Sequence, residues 1–479
     1  MAGRTIIPTN LHRGTISGHN IGRQRTFYFS RSGAGAEPVP VAHGAFDRAF
    51  AFGAFVLLVA FYVALPSLKL AGMPLRGLLA VGLLGLMVVA YPGVAQKALR
   101  AYFPLMALAA GFAALGIFTS VANAAPLDVI VEIVIEVHLQ ILVIIFVAGM
   151  LAEICGARLA MLAIVGVIGA SAIFALLQML HVDVAWAIRR ALGPLSKEEL
   201  RPSIVDRRPP GLSYSPIQLS TQLCLAFGVF AAVRWADRIR TVGRKAADPA
   251  VIVALLVLAA GSIATATRSP ILGGLIFLGL YLAMRRNSWL PMAIVATVAV
   301  ALFAWPTPLD FVESNAPRVL RADDNSAAAR YVFIYYGLRL FADNPLGYGF
   351  GFQPADLWTT YWPDLYMMRG SRGTQEHMLH NYPLSMLNIY GIGILLLAPL
   401  IFSLLRRAGP YLIFFIPYAV HIMFHNSGPF FSDTLIWFVI AAISAGGVAL
   451  RSSQDRAPAK MVSARGGPSP VRVASPKGW

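Results

Sequence analysis

Twelve mostly apolar stretches recur along this chain, near 47–66, 74–92, 101–120, 128–152, 157–180, 213–233, 248–266, 269–285, 288–305, 380–404, 409–426 and 432–450. Each approaches the roughly 20 residues that a helix needs to cross about 30 Å of hydrocarbon. The expected fold is therefore all-α, a polytopic transmembrane bundle of about twelve helices. The fourth stretch is the least clean, because Glu132, Glu136 and His138 interrupt it. Only Arg268, Ser269 and Pro270 separate the seventh from the eighth, which predicts a tight hairpin or one broken helix. Composition agrees: 57% of the 479 residues are hydrophobic and 13% are charged. Soluble domains carry about 25% charged residues. Cys155 and Cys224 both sit inside apolar runs and read as small core residues, not as a disulfide or metal pair.

A formal net charge of +17 raises the possibility of a nucleic-acid partner, so the location of the charges matters. With the N-terminus inside, the short inner connections hold Lys97 and Arg100, then Arg158, then Arg234, Arg238, Arg240, Arg244 and Lys245. Arg285 with Arg286, Arg406 with Arg407, and a basic tail continue the pattern. Basic inner loops are what the positive-inside rule requires, so topology accounts for the charge and no nucleic-acid partner is expected. Residues 1–44 are polar and contain no apolar core of the kind a signal peptide has; they read as a disordered cytoplasmic arm. The tail 451–479 reads the same way, which leaves 45–450 as the bundle. Both termini are expected in the cytoplasm and the bundle in a bacterial inner membrane.

The rule does not explain the cations on the outer side. Two large outer segments, 181–212 and 306–379, carry Arg189, Arg190, Lys197, Arg201, Arg207 and Arg208, and then Arg318, Arg321, Arg330, Arg339, Arg369 and Arg372. A long outer loop among short connections is where function usually resides. Three local patterns fall on this side. One is Thr265-Ala266-Thr267-Arg268-Ser269-Pro270. The second runs from Arg330 through Tyr335-Tyr336-Gly337 to Asn344-Pro345-Leu346-Gly347-Tyr348-Gly349-Phe350-Gly351. The third is Glu376-His377-Met378-Leu379-His380-Asn381, followed by Gly391 and Gly393.

In this order and on this side, the patterns resemble the O-antigen ligase and polysaccharide polymerase superfamily over roughly residues 200–400. The residues that carry the resemblance are Arg268, Arg330, Pro345, Gly347, Gly349, His380, Asn381, Gly391 and Gly393, with Arg208-Pro209-Pro210-Gly211 as a less specific element. The resemblance implies transfer of a glycan from an undecaprenyl diphosphate carrier to an acceptor hydroxyl, without a metal, nucleotide sugar or other cofactor. The acceptor would be lipid A core in a ligase, or another lipid-linked glycan in a polymerase, with membrane lipid around both.

The residue types suit such chemistry independently. Charge grows on a diphosphate as it leaves, and Arg grips phosphate bidentately while staying protonated. The attacking hydroxyl must lose a proton, and His, with an ordinary pKa of about 6.5, can accept it. His380 is thus the candidate base, with His377 three residues earlier as its rival. Arg268, Arg330, Arg208 and Asn381 are the candidate substrate-binding residues. Each has a plainer reading: Arg268 as a snorkelling helix-end cation, Arg330 as a solvated helix charge, and Asn381 as a helix cap. The glycines read as structural.

His421 and His425 share a helix face near the outer end, and with His377 and His380 raise a metal site as a minor alternative. Glu132, Glu136 and His138 within the fourth helix are costly in lipid and raise a transporter or flippase of lipid-linked saccharide as the competing function. A binding or assembly protein without chemistry is a third reading.

Overall fold

The structure is a computed structural model and describes residues 43–66, 68–70, 73–193, 208–241, 248–283, 325–371, 379–430 and 433–455. The ninth apolar stretch, 288–305, and His377 lie outside the described residues, as do nearly all of the arm and the tail after 455.

The protein is all-α, apart from a two-residue hairpin pairing Lys69–Leu70 with Met73–Pro74. Eleven of the twelve apolar stretches coincide with helices. The first seven elements are α1 (Ala45–Ala64), α2 (Leu75–Ala90), α3 (Pro92–Ala122), α4 (Leu127–Cys155), α5 (Ala157–Met179), the short outer α6 (Asp183–Ala191) and α7 (Pro216–Thr241). Next come α8 (Pro249–Ala264) and α9 (Ser269–Ala283), the expected tight hairpin. The long segment 306–379 holds, where it is described, α10 (Asn325–Asp343) and α11 (Trp358–Leu365). The chain then returns through α12 (Tyr382–Tyr390), a 3-10 stretch Gly391–Leu397, and α13 (Ala398–Ala408). A second 3-10 stretch, Gly409–Phe415, leads into α14 (Ile416–Met423), and α15 (Leu435–Asp455) closes the bundle.

Lipid offers little drive for helices to associate, so close packing through small residues carries the assembly. A Cβ at Gly149 of α4 would lie 2.4 Å from the Tyr102 ring of α3. One at Gly273 of α9 would lie 2.7 Å from the Pro417 Cα of α14. Phe55, Leu58, Ile141, Ile144, Ile145 and Phe438 form the fully buried centre. The two ends of the bundle differ. At one end, ion pairs tie neighbouring helices: Lys97 to Glu153 at 2.5 Å, Arg158 to Asp237 at 3.1 Å and Arg234 to Asp248 at 3.1 Å. The opposite end carries the described residues of the three sequence patterns.

The glycine-rich loop is wedged between α3 and α12. Gly347, Gly349 and Gly351 have φ of +87°, +83° and +77°, the left-handed region that glycine enters without a side-chain penalty. Tyr348 N and Gly349 N donate to the carbonyls of Asn388 (2.7 Å) and Ile389 (2.9 Å), and Phe350 N donates to Ser120 Oγ (2.6 Å). A Cβ at Gly349 would meet the Ser120 Cα at 2.5 Å. Over this loop sits a small outer core in which Val332, Phe333, Tyr336 and Leu340 of α10 pack with Trp358, Leu365, Leu379 and Leu384. The Tyr336 hydroxyl donates to the Pro354 carbonyl at 2.5 Å, and burial raises its phenol pKa above the ordinary value. The long outer segment is thus a folded helical unit where it is described.

In α4, the residues Val134–Leu139 form a π-helical turn. Such turns displace one residue from the regular ladder and recur at functional sites. Here the turn buries His138, whose Nε2 lies 3.3 Å from the Tyr390 hydroxyl and whose ring tilts over Phe350 at 5.1 Å.

Candidate functional site

The site is built around the turn between α8 and α9. After Ala264 the chain turns through Thr265 and Ala266, and Ala266 takes φ +49°, a conformation that a residue with a Cβ adopts only when its surroundings compel it. The compelling bonds are visible. Thr267 N donates to the Ser262 carbonyl (2.9 Å), and Thr265 Oγ1 donates to the same carbonyl (3.1 Å) while sharing a 2.8 Å hydrogen bond with Ser220 Oγ of α7. The Arg268 carbonyl accepts from Ile271 and Leu272 N and opens α9, where Pro270 in the first turn needs no partner for a missing N–H.

Arg208 is buried against the same turn. Its Nε donates to the Thr265 carbonyl (3.0 Å) and its Nη2 to Thr267 Oγ1 (2.9 Å). The Arg-Pro-Pro-Gly element explains the reach. Gly211, at φ +62°, exchanges two hydrogen bonds with the Gln178 carboxamide of α5, at 2.9 and 3.0 Å. A Cβ there would meet the Ser171 carbonyl oxygen at 2.2 Å. With Gly211 locked on α5, Arg208 extends toward α8 and α9. Arg189 of α6, also buried, donates to the carbonyls of Ser213 (2.8 Å) and Tyr214 (3.3 Å), so this outer cation braces the segment that precedes α7.

The α12 and α14 ends complete the cluster. Asn381 accepts a hydrogen bond from Leu384 N on its Oδ1 (3.0 Å) and caps α12. Asn381, expected to touch substrate, thus has its side-chain oxygen committed to the cap. That cap sets His380, half-buried, at the helix entrance, with its ring edge-on to Phe333 at 5.0 Å and to His425 at 6.4 Å between centroids. Arg330 of α10 stacks over the Phe424 ring at 5.3 Å, one residue from His425. His425 Nε2 lies 3.1 Å from Ser269 Oγ, and His421 Nδ1 lies 2.9 Å from the same oxygen. Ser269 follows Arg268 directly.

Residues separated by more than 200 positions therefore meet at one end of the bundle. Arg208, Arg330 and His380 join this cluster, Arg268 lies on the turn at its centre, and the charges of Arg208 and Arg330 reach both His421 and His425. His377 lies outside the described residues. Among the described residues no group of three or more His, Cys, Asp or Glu is arranged to hold a metal. His421 and His425 instead flank a serine hydroxyl. Sequence reading gave these two histidines only the metal alternative and missed Thr221, which completes the array at 3.0 Å from His421 Nε2. A Ser-Thr-Gln run near the start of a membrane-length helix was the available signal. Chemically, the cluster offers several guanidinium groups for an anion and an imidazole at the helix entrance to take a proton.

The chain has no sequence match among curated proteins. Residues 251–398 match the family described as O-antigen ligase (Wzy_C). The part of the chain that carries Arg268, Arg330 and His380 is thus similar to the O-antigen ligase family, and it lies within a multi-pass membrane protein.

Proposed function

We propose that the protein transfers a glycan from an undecaprenyl diphosphate carrier to an acceptor hydroxyl at the outer face of a bacterial inner membrane. The observation that carries this reading is the convergence of Arg208, Arg268 and Arg330 on the α8–α9 turn and the adjoining α14 end, within or beside the O-antigen ligase match. Cations gathered where helices end suit a lipid diphosphate headgroup, and their charge opposes the charge that develops on it.

In this scheme the acceptor oxygen attacks the anomeric carbon as the carbon–oxygen bond to the diphosphate breaks. The electron pair stays on the phosphate oxygen, and His380 takes the hydroxyl proton. Direct displacement inverts the anomeric centre. The guanidinium groups do the work that a divalent ion does elsewhere, so no metal is required. Asn381 acts through His380 by holding the start of α12.

The test is a reconstituted assay. Purified full-length protein in lipid receives an undecaprenyl diphosphate-linked oligosaccharide, with either lipid A core or a second lipid-linked repeat as acceptor. Glycosylated acceptor and free undecaprenyl diphosphate should appear in equal amounts, unchanged by EDTA. Loss of transfer on chelation, restored by Mg²⁺ or Mn²⁺, would overturn the metal-free scheme. Transport of the intact donor without any bond exchange would favour the flippase reading.

A further inference from the structure

Beyond residue 398, where the O-antigen ligase match ends, α14 and the turn that follows it supply two buried imidazoles, His421 and His425, that the transfer scheme above does not use. They belong to one hydrogen-bonded row. Thr221 Oγ1 of α7 lies 3.0 Å from His421 Nε2, His421 Nδ1 lies 2.9 Å from Ser269 Oγ, and Ser269 Oγ lies 3.1 Å from His425 Nε2. All four residues are buried. His425 Nδ1, at the end of the row, has no hydrogen-bond partner among the described residues.

The direction of the row follows from its far end. Thr221 has a single hydroxyl proton, and both acceptors it can reach lie away from His421: the Ile217 carbonyl one turn earlier at 3.0 Å and, more distantly, Ser427 Oγ at 3.5 Å. The Thr221 oxygen is then the acceptor that faces His421 Nε2, and the Ile217 carbonyl is a further acceptor beside the same ring. A carbonyl only accepts, so His421 Nε2 carries the ring proton and its Nδ1 holds a lone pair. Ser269 must then donate to His421 Nδ1, which leaves the Ser269 oxygen to accept from His425 Nε2–H. Each step forces the next, and the last leaves His425 Nδ1 as a lone pair. A buried acceptor without a donor is costly in a resting protein and is seldom kept without a use.

The surroundings narrow that use. Among the described residues, the charged or titratable groups that reach His425 are Arg208, Arg330, His380 and His421. The two cations would draw an anionic donor past it. A bare lone pair is the wrong group for a phosphate and the right one for an O–H.

We infer that His425 Nδ1 is the hydrogen-bond acceptor for a hydroxyl of the acceptor saccharide, and that Ser269, His421 and Thr221 are positioning residues that fix its tautomer. This assignment rests on the transfer reading and adds the acceptor side of the site to it. His425 orients the incoming sugar, while His380 receives the proton of the attacking hydroxyl.

Two measurements on full-length protein in lipid test it. Solid-state NMR of ¹⁵N-histidine-labelled protein should show Nε2–H and bare Nδ1 on both His421 and His425, and Ser269→Ala should disturb that tautomer at His425. In the reconstituted assay, with whichever of lipid A core and lipid-linked repeat is the acceptor, His425→Gln and Ser269→Ala should raise the acceptor KM about tenfold or more. Donor affinity should be unchanged, and Ser269→Thr, which retains the hydroxyl, should restore most of the acceptor KM. A merely structural role would lower thermal stability and both affinities together. A protonated Nδ1 on His425, or a normal acceptor KM in both variants, overturns the inference while the transfer reading stands. A wild-type protein that transfers nothing brings down the transfer reading and this role with it, whatever the tautomers.

Discussion

Arg208 and Asn381 show how one side chain serves the fold and the site at once. Arg208 spends its Nε and one Nη on Thr265 and Thr267 and so fixes the turn that presents Arg268. Arg208→Lys should retain the charge but lose the planar fork, lowering transfer more than a surface Arg-to-Lys change would; steady-state turnover in the reconstituted assay checks this. Asn381→Ala removes the α12 cap and should cost about 0.5–2 kcal/mol of stability, whereas Asn381→Asp keeps an acceptor and should cost little. Thermal unfolding of both variants in detergent would read the difference, and equal melting temperatures would contradict the capping role. At this scale the sequence revealed residue types better than partnerships. An Arg or His on the non-basic side of a membrane protein stands out because the positive-inside rule does not account for it. The pairing of Ser269 with His421 and His425 spans about 150 positions and depends on how α9 lies against α14, which no local pattern encodes.

Among the elements, the glycine-rich loop is the most constrained. Gly349 has both a left-handed backbone and a Cβ-forbidding neighbour, Ser120 of α3. Gly349→Ala should therefore cost about 1–3 kcal/mol from backbone strain, before the clash is counted. Ser120→Ala, which loses only the hydroxyl that receives Phe350 N, should cost about 0.5–1.5 kcal/mol. Reversal of that order in thermal unfolding would mean that the loop does not sit against α3 as described. Spans of about 20 apolar residues were legible from length and hydropathy alone. The π turn of α4 and the 3-10 stretch after Gly391 were not, because helical periodicity does not distinguish i→i+3, i→i+4 and i→i+5 bonding over a single turn. The helices α10 and α11 were read as loop, because their apolar residues pack on a small outer core and do not form a membrane-length run.

For the whole molecule, orientation decides whether the chemistry is available. The ion-paired end should face the cytoplasm and the Arg–His end the outer side. Single cysteines at Gln96 and at Thr359, introduced after replacing the buried Cys155 and Cys224, would show this with a membrane-impermeant maleimide. Thr359→Cys should label in intact spheroplasts and Gln96→Cys only after permeabilisation; the reverse pattern would contradict the orientation. The charge distribution that predicts this is a property of short loops and survives in the sequence without any knowledge of packing.

The central claim is that guanidinium groups hold a lipid diphosphate while His380 takes the acceptor proton, and these roles separate experimentally. Binding of an undecaprenyl diphosphate-linked saccharide and formation of glycosylated product should be measured separately on purified Arg268→Ala and His380→Ala. Arg268→Ala should weaken donor binding by about one to two decades and slow transfer with it. His380→Ala should bind donor normally and turn over roughly 10²–10⁴-fold more slowly. If His380→Ala transfers at the wild-type rate while His377→Ala is inactive, the proton acceptor lies three residues earlier. If Arg268→Ala and both histidine variants all transfer at the wild-type rate, the account of this site is wrong.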